Sequence, residues 1–258
     1  MSAIREAASV ILLRGVSGGF EVFLLRRHNK ASFMASAFVF PGGATEPGED
    51  ARTAAARELF EEAGVLLARD TGAQNETLEM MSQEQLRSKV LKGVPAAAAL
   101  ELAGLAWATE GLVPWAHWIT PSIEPKRFSA RFFVGELPSG QVPRFDATET
   151  VDQVWATPAD ALARAAELAL PPPQIRTFWE LAKFSTVAEV LAAARKRAEE
   201  PHPIMPRLAP GHAPILLLPW DPDYNDLGTG EATPLAYKPT WAIGPSRFTY
   251  EDKTWKHV

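Results

Sequence analysis

Between Gly43 and Val65 the chain reads GATEPGEDARTAAARELFEEAGV, and this stretch restricts the fold more than any other. From Asp50 to Glu62 it holds good helix formers and no Gly or Pro, which predicts a helix. Glu49 and Asp50 stand at its positive end, and Gly64 follows the last turn as a stop signal. Within that helix Glu58, Glu61 and Glu62 are spaced i, i+3, i+4. The spacing puts three carboxylates on one face, where they repel unless a cation lies among them. Clustered oxygen donors suit hard divalent cations such as Mg2+ or Mn2+, which can bridge onward to a phosphate. A solvated acidic face is the other reading of ELFEEAG taken alone.

The residues before the helix decide between the two. Ala37 to Phe40 is an apolar run that reads as a strand, and Pro41, Gly42 and Gly43 follow it as a tight turn. Backbone carbonyls and amides of such a turn can join a metal or phosphate site. The whole stretch resembles the signature of the Nudix hydrolases, with Gly43, Glu49, Arg57, Glu58, Leu59, Glu61, Glu62, Gly64 and Val65 filling every specified position. At ordinary residue usage this pattern arises less than about once in a billion windows.

Composition sets outer bounds. The chain has 258 residues, 47% of them apolar and 22% charged, enough for a real core with an ordinary surface. A formal charge of -5 argues against a surface that coats nucleic acid. A small anionic substrate is compatible with it, because local cations and bound metal override the total. The sequence has no cysteine, which excludes disulfides, thiol nucleophiles and zinc-thiolate sites. MSAIREAASVILLRG lacks the build of a signal peptide, no apolar run reaches membrane-spanning length, and Lys256-His257-Val258 is no Ser-Lys-Leu-type address. The expectation is a cytoplasmic protein without membrane or nucleic-acid partners.

Along the chain, Ala7 to Leu13 and Phe20 to Leu25 predict a hairpin across Gly15, Ser17, Gly18 and Gly19. The segment Arg26-Arg27-His28-Asn29-Lys30 then gathers basic side chains that can receive phosphates. Asp70 to Thr77 reads as loop, while Ser82 to Leu91 and Pro95 to Leu105 read as helices, so about 70–113 forms a helical insertion. That insertion is expected, with Arg26 to Lys30, to line the non-reacting side of the substrate. Later strands are expected at Leu112 to Thr120, Arg127 to Leu137 and Thr150 to Ala156. Thr157-Pro158 starts a helix, Pro171 to Pro173 break it, and Gln174 to Phe184 and Thr186 to Glu199 give two more. From residue 200 to 258 the chain turns Pro- and Trp-rich, with short strands expected at Pro214 to Trp220 and Ala236 to Ile243. Its apolar run and tryptophans need cover, from the domain in 1–199 or from a second copy, and a homodimer is the favoured expectation.

The Nudix resemblance implies an α/β fold, an α/β/α sandwich around a mixed sheet. It also implies hydrolysis of a nucleoside diphosphate linked to another moiety, with Mg2+ or Mn2+ as cofactor. By the same resemblance Glu58, Glu61 and Glu62 match metal ligands, with the carbonyl of Gly43 or Gly42 beside them. Glu49 and Arg57 match bracing positions, and Gly64 belongs to the structural frame. Glu149, six residues before Trp155, is similar to a glutamate that completes the metal site or acts as base. Glu58, Glu61 and Glu149 are thus the candidate proton acceptors, and Arg26, Arg27 and Arg127 the candidate substrate-binding cations. LLRRHNKASFMASAFVFPGG and WITPSIEPKRFSARFFV resemble the coenzyme A diphosphatase branch. The coenzyme A motif of related enzymes has Arg and Gly where this chain has Ser32 and Ser36, so the motif leaves the substrate open. Coenzyme A or an acyl derivative stands beside ADP-ribose, NADH, a dinucleotide, or a non-catalytic nucleotide-binding role.

Overall fold

The computed structural model describes residues 3–30, 34–72, 81–211, 213–233 and 235–258; Ser32 and residues 73–77 of the expected loop lie outside them. The expected hairpin is present as β1 (Ile4–Val16) and β2 (Gly19–Arg27), with Val16 opposite Gly19. Gly18, at φ 84°, makes the turn in the left-handed region open to glycine. These strands are buried on both faces, and their side chains alternate between two cores. Ile11, Leu13, Val22 and Leu24 face one, while Val10, Leu12, Phe23 and Leu25 face the other.

β1 and β2 pair from Leu13 to Val16 and part towards the start of β1, and the next segment fills the fork. In it β3 (Phe38–Val39) pairs with Leu25 and Arg26, and β4 (Gly42–Ala44) pairs with Ala7 to Ser9. The Arg27 amide donates to the Ala37 carbonyl at 3.0 Å, and the Val10 amide to the Pro41 carbonyl at 2.9 Å. Both sides of the glycine turn are thereby tied to central strands. Helix α1 (Ala51–Ala63) follows, its first turn capped by the Asp50 carboxylate on the amides of Arg52 and Thr53. Ala54, Ala55, Ala56 and Leu59 press it onto Val10, Leu12, Phe23 and Leu25. Alanines on that face allow the helix to lie close to the sheet.

The insertion comprises β5 (Ala68–Asp70), α2 (Gln83–Leu91), α3 (Ala96–Leu102) and β6 (Leu105–Trp107). β5 and β6 pair with each other, a small ribbon that the sequence reading did not anticipate. Leu86, Val90, Ala99 and Leu100 pack on Phe60 of α1. The main sheet continues with β7 (Val113–Ile119), β8 (Arg127–Glu136) and β9 (Thr150–Ala156). β8 runs parallel to β1 from Ile4–Arg127 to Leu13–Glu136, while β7 and β9 pair antiparallel with β8 and β2, so the sheet is mixed. Helices α4 (Pro158–Ala163), α5 (Pro172–Leu181) and α6 (Val187–Arg197) complete the domain, with residues of α5 and α6 packed on the face opposite α1. The expected sandwich is what forms. Pro172 and Pro173 do not precede α5 but open it, where the missing amide hydrogens cost no helical bond.

Beyond residue 200 the chain adds β10 (Pro203–Ile204) in parallel to β7, opposite His117 and Trp118. β11 (Arg207–Ala209), β12 (Ile215–Leu217), β13 (Arg247–Glu251) and β14 (Thr254–His257) form a separate antiparallel sheet. The strand expected at Ala236 to Ile243 is absent: Pro239 lacks an amide hydrogen and its carbonyl instead closes a turn with the Ala242 amide at 3.0 Å. Leu216, Leu218 and Phe248, with Trp220, Trp241 and Trp255 against them, join the core that holds Phe178 and Val190. The chain thus covers with its own domain the surface on which the expectation of a homodimer rested. Among the described residues no helix is long and apolar enough to cross a membrane.

A buried ionic knot fastens this extension. Glu180 accepts from Arg176 Nε at 2.8 Å, from Arg197 Nη1 at 2.6 Å and from Trp115 Nε1 at 3.1 Å. Arg176 also donates to the carbonyls of Pro245 and Trp241, and its guanidinium sits over the rings of Trp179 and Trp220. With Arg176 only 1% exposed, Glu180→Gln leaves buried guanidiniums short of their counter-charge. The substitution is expected to cost about 3–5 kcal/mol in urea unfolding. A loss under about 1 kcal/mol would show that the knot does not hold the extension.

Candidate active site

Arg57 organises the acidic face of α1. Its Nε donates to Glu49 at 3.0 Å, its Nη1 to Glu58 at 2.9 Å and Glu61 at 3.1 Å, and its Nη2 to the Ala44 carbonyl at 2.8 Å. Glu49 in turn accepts from the Glu46 amide at 3.0 Å, closing the loop that leads into the helix. Glu62 reaches the other way and accepts from the Gly42 amide at 2.8 Å. The glycine turn is thus clamped to the helix from both sides. At Gly43 a Cβ would lie 2.5 Å from Glu58 Oε1, so any side chain there would push the Glu58 carboxylate from its place. The C-terminal end closes on Gly64, at φ 68°, whose amide bonds the Phe60 carbonyl at 2.9 Å. Arg87 of α2 donates Nε and Nη2 to the Glu61 carbonyl at 3.1 and 2.8 Å. Sequence reasoning missed Arg87, since nothing in the insertion's pattern marks which of its cations meets a helix end.

Burial and mutual repulsion leave these acids short of positive charge. Burial pushes the Glu58 carboxyl up to about 7, against the partly offsetting pull of Arg57. It pushes Glu62 up to about 8, with Glu58 and Glu149 adding repulsion and the Gly42 amide opposing. Glu61 is raised by the same cause. Among the described residues no three His, Cys, Asp or Glu side chains converge as a ready metal site. Glu58 and Glu61 instead point oxygens at Arg57, and Glu62 points at Gly42. The donor set is nonetheless all oxygen, and its raised pKa values mark a place where a cation would replace protons. Glu58, Glu61 and Glu62, with a carbonyl of the glycine turn, are the groups able to hold a hard divalent ion.

A cleft of about 960 Å³ opens beside this face, lined by Gly42, Gly43, Glu58, Glu61, Glu149 and Arg27 at the acidic end. Its floor is one face of the sheet. Ala7 and Ser9 of β1 stand opposite Ala130 and Phe132 of β8, and Trp118 of β7 stands opposite Ala130. The fold therefore brings Glu149 to the helical acids, as the sequence suggested. It separates the candidate cations. Arg27 lines the cleft with its Nε unpartnered, whereas Arg26 is exposed over the Phe38 ring and off the cleft lining. Arg127 does not reach the cleft: it is 4% exposed and donates Nε to the Thr120 carbonyl at 3.1 Å, bracing the β7–β8 connection. Nor does the insertion line it. No described residue from 70 to 113 faces the cleft, because α2 and α3 pack behind α1. The far wall comes from the C-terminal extension instead, through Leu216, Tyr250, Lys253 and Trp255. Ser36 holds φ 63°, a conformation that favours the glycine of the related motif.

Known proteins resemble this chain in sequence and fold. A family profile described as the NUDT19 Nudix domain matches residues 47–184, and the NUDIX domain profile matches 3–88. Nudix hydrolase 7 of Caenorhabditis elegans is 31% identical over 73% of this chain and 63% of its own length. The acyl-coenzyme A diphosphatase NUDT19 of Xenopus laevis is 25% identical, with 62% of its length matched, so the chain spans under two thirds of both relatives. The Gallus gallus protein of the same name is 27% identical over 86% of this chain and 81% of its own. A crystal structure of a NUDIX hydrolase from Alicyclobacillus acidocaldarius superposes with a TM-score of 0.64 at 27% identity, covering 74% of this chain and 97% of that one.

The raised acids make stability depend on pH with a definite sign. Glu58 and Glu62 titrate near 7 and 8 when folded, against an ordinary 4.5, so the metal-free folded protein holds protons that the unfolded chain releases. The stabilisation is complete below about 4.5 and is lost as pH rises through 7 and 8. Urea unfolding of metal-free protein is expected to show a fall of roughly 3 kcal/mol or more between about pH 5 and pH 9. Glu62→Gln should flatten that slope, and an unchanged slope would exclude Glu62 as its source.

Proposed function

The chain belongs to the Nudix hydrolases, and from that premise we propose that it cleaves the diphosphate linkage of a nucleotide derivative, preferably coenzyme A or an acyl-coenzyme A. One observation carries the reading: Glu58 and Glu61 with Glu149, Arg27 and the glycine turn border a single cleft, and Glu62 anchors that turn. The relatives named acyl-coenzyme A diphosphatase support the choice of substrate, as does a cleft of about 960 Å³, at the upper end of the volumes that small-molecule sites occupy.

A magnesium or manganese ion held by Glu58, Glu61 and Glu62 would neutralise the diphosphate oxygens and acidify the attacking water. The chain's own groups do the remainder. Arg27, whose Nε has no partner among the described residues, donates to a phosphate oxygen. Arg57 stays with Glu49 and the Ala44 carbonyl and keeps the turn in place as the acids reorient. Glu149 lies exposed in the cleft while the helical acids are engaged, and it accepts the proton of the water that attacks phosphorus. The bond from that phosphorus to the bridging oxygen breaks, leaving two phosphorylated products.

Purified protein with Mg2+ or Mn2+ is expected to split coenzyme A into adenosine 3′,5′-bisphosphate and 4′-phosphopantetheine, read by mass spectrometry. ADP-ribose, NADH and dinucleotides in the same panel rank the alternatives, and turnover of none of these would overturn the proposal. Glu61→Gln and Glu62→Gln should each lower kcat by about 100- to 1,000-fold with the fold retained. Near-normal rates in both at low metal would remove these residues from the site. Glu149→Gln should keep metal affinity and lose the acidic limb of the pH–rate profile. Retention of that limb would assign the base elsewhere.

A further inference from the structure

Trp118 and Gln174 face the same cleft, and each carries a polar atom that the fold leaves unsatisfied. Both side chains are 5% exposed, and both line the cavity. Among the described residues the Trp118 indole Nε1 has no acceptor and the Gln174 Oε1 has no donor. Buried polar atoms are costly to leave unpaired, so a donor and an acceptor without partners on two residues lining one cavity call for an explanation. Their placement supplies it. Trp118 stands opposite Ala130, which stands opposite Ala7, which stands opposite Ala44 at the end of the glycine turn. This row crosses the sheet from the acidic end, and Trp118 lies two strand spacings, about 10 Å, from Ala7. The small alanines between them keep the floor open. On its other side Trp118 pairs with Ile204 of β10, and Gln174 projects from the first turn of α5 after Pro172 and Pro173. Leu216 and Trp255 of the extension close the wall around them.

We infer that Trp118 and Gln174 form a subsite that reads the non-reacting arm of the substrate through a secondary amide, whose carbonyl accepts from Trp118 Nε1 and whose N–H donates to Gln174 Oε1. The assignment of the arm rests on the diphosphate reading above. A nucleobase edge also offers a donor beside an acceptor. With each residue only 5% exposed there is little surface for a base to stack on, and two strand spacings from Ala7 suit a linear chain several bonds from the phosphate. The extension thereby acts in selectivity, since it supplies the strand beside Trp118 and the apolar wall of the subsite.

Gln174→Met and Trp118→Phe test this with two readouts. Calorimetry on metal-free protein, with 4′-phosphopantetheine and adenosine 3′,5′-bisphosphate as separate probes, should show the first weakened about five- to tenfold and the second unchanged. In turnover, KM for coenzyme A should rise by a similar factor, while kcat and the KM for ADP-ribose hold. The melting temperature of Gln174→Met should stay level or rise, because a buried unpaired acceptor is removed. Weakening of the bisphosphate probe instead would assign the subsite to the nucleobase and overturn the inference. So would unchanged binding of both probes in both variants, or a wild-type protein that binds no phosphopantetheine. A wild-type protein that hydrolyses no diphosphate yet binds phosphopantetheine through Gln174 would overturn the proposed reaction and leave this subsite standing.

Discussion

One guanidinium holds the acidic end of the cleft in order. Arg57 touches the helix acids, the loop acid Glu49 and the backbone after the glycine turn, and it does so at 7% side-chain exposure. Without it, Glu58 and Glu61 would face each other in a half-dry setting where like charges are costly. With it, the cluster is compensated only in part, and the residual demand for positive charge is what the site can use. Tight ionic bracing and incomplete neutralisation come from the same few contacts.

The fork between β1 and β2 is the second constraint. A glycine turn standing free on a loop would wander, but this one is laced to β1 and β2 by backbone bonds. Helix and turn therefore rest on the most buried strands of the molecule, and the geometry of the acids inherits their rigidity. Loops supply Glu149 and the extension supplies the far wall, so the variable parts surround a fixed centre.

Legibility in the sequence followed the range of the interactions. α1 and its caps are readable because they lie within one local stretch, the Arg57–Glu49 brace through the family signature, and β1, β2 and β8 because each is an apolar, β-rich run. Pairings over long separations are not. Arg127 stands in the sequence as a candidate substrate-binding cation, yet its side chain turns to the Thr120 carbonyl. The insertion reads as a substrate wall, yet its apolar residues seek Phe60 behind the helix. β13 and β14 escaped notice because Arg247 to His257 is mostly polar, and its Phe248 and Trp255 find their place only once folded against the core. Trp118 and Gln174 carry no local signature at all; their meaning lies in which bonds they fail to make.

The parallel addition of β10 to β7 has a consequence in time. At the acidic end of the cleft Gly42, Gly43, Glu58 and Glu61 come from one short stretch and are joined by Arg27 and Glu149, whereas the opposite wall needs Tyr250 and Trp255 to travel back across the whole domain. Closure of such distant contacts is the slow part of folding. The cleft therefore carries its largest loop-closure cost on the side opposite the carboxylates, and that wall is the part most open to loss if the chain is cut or shortened.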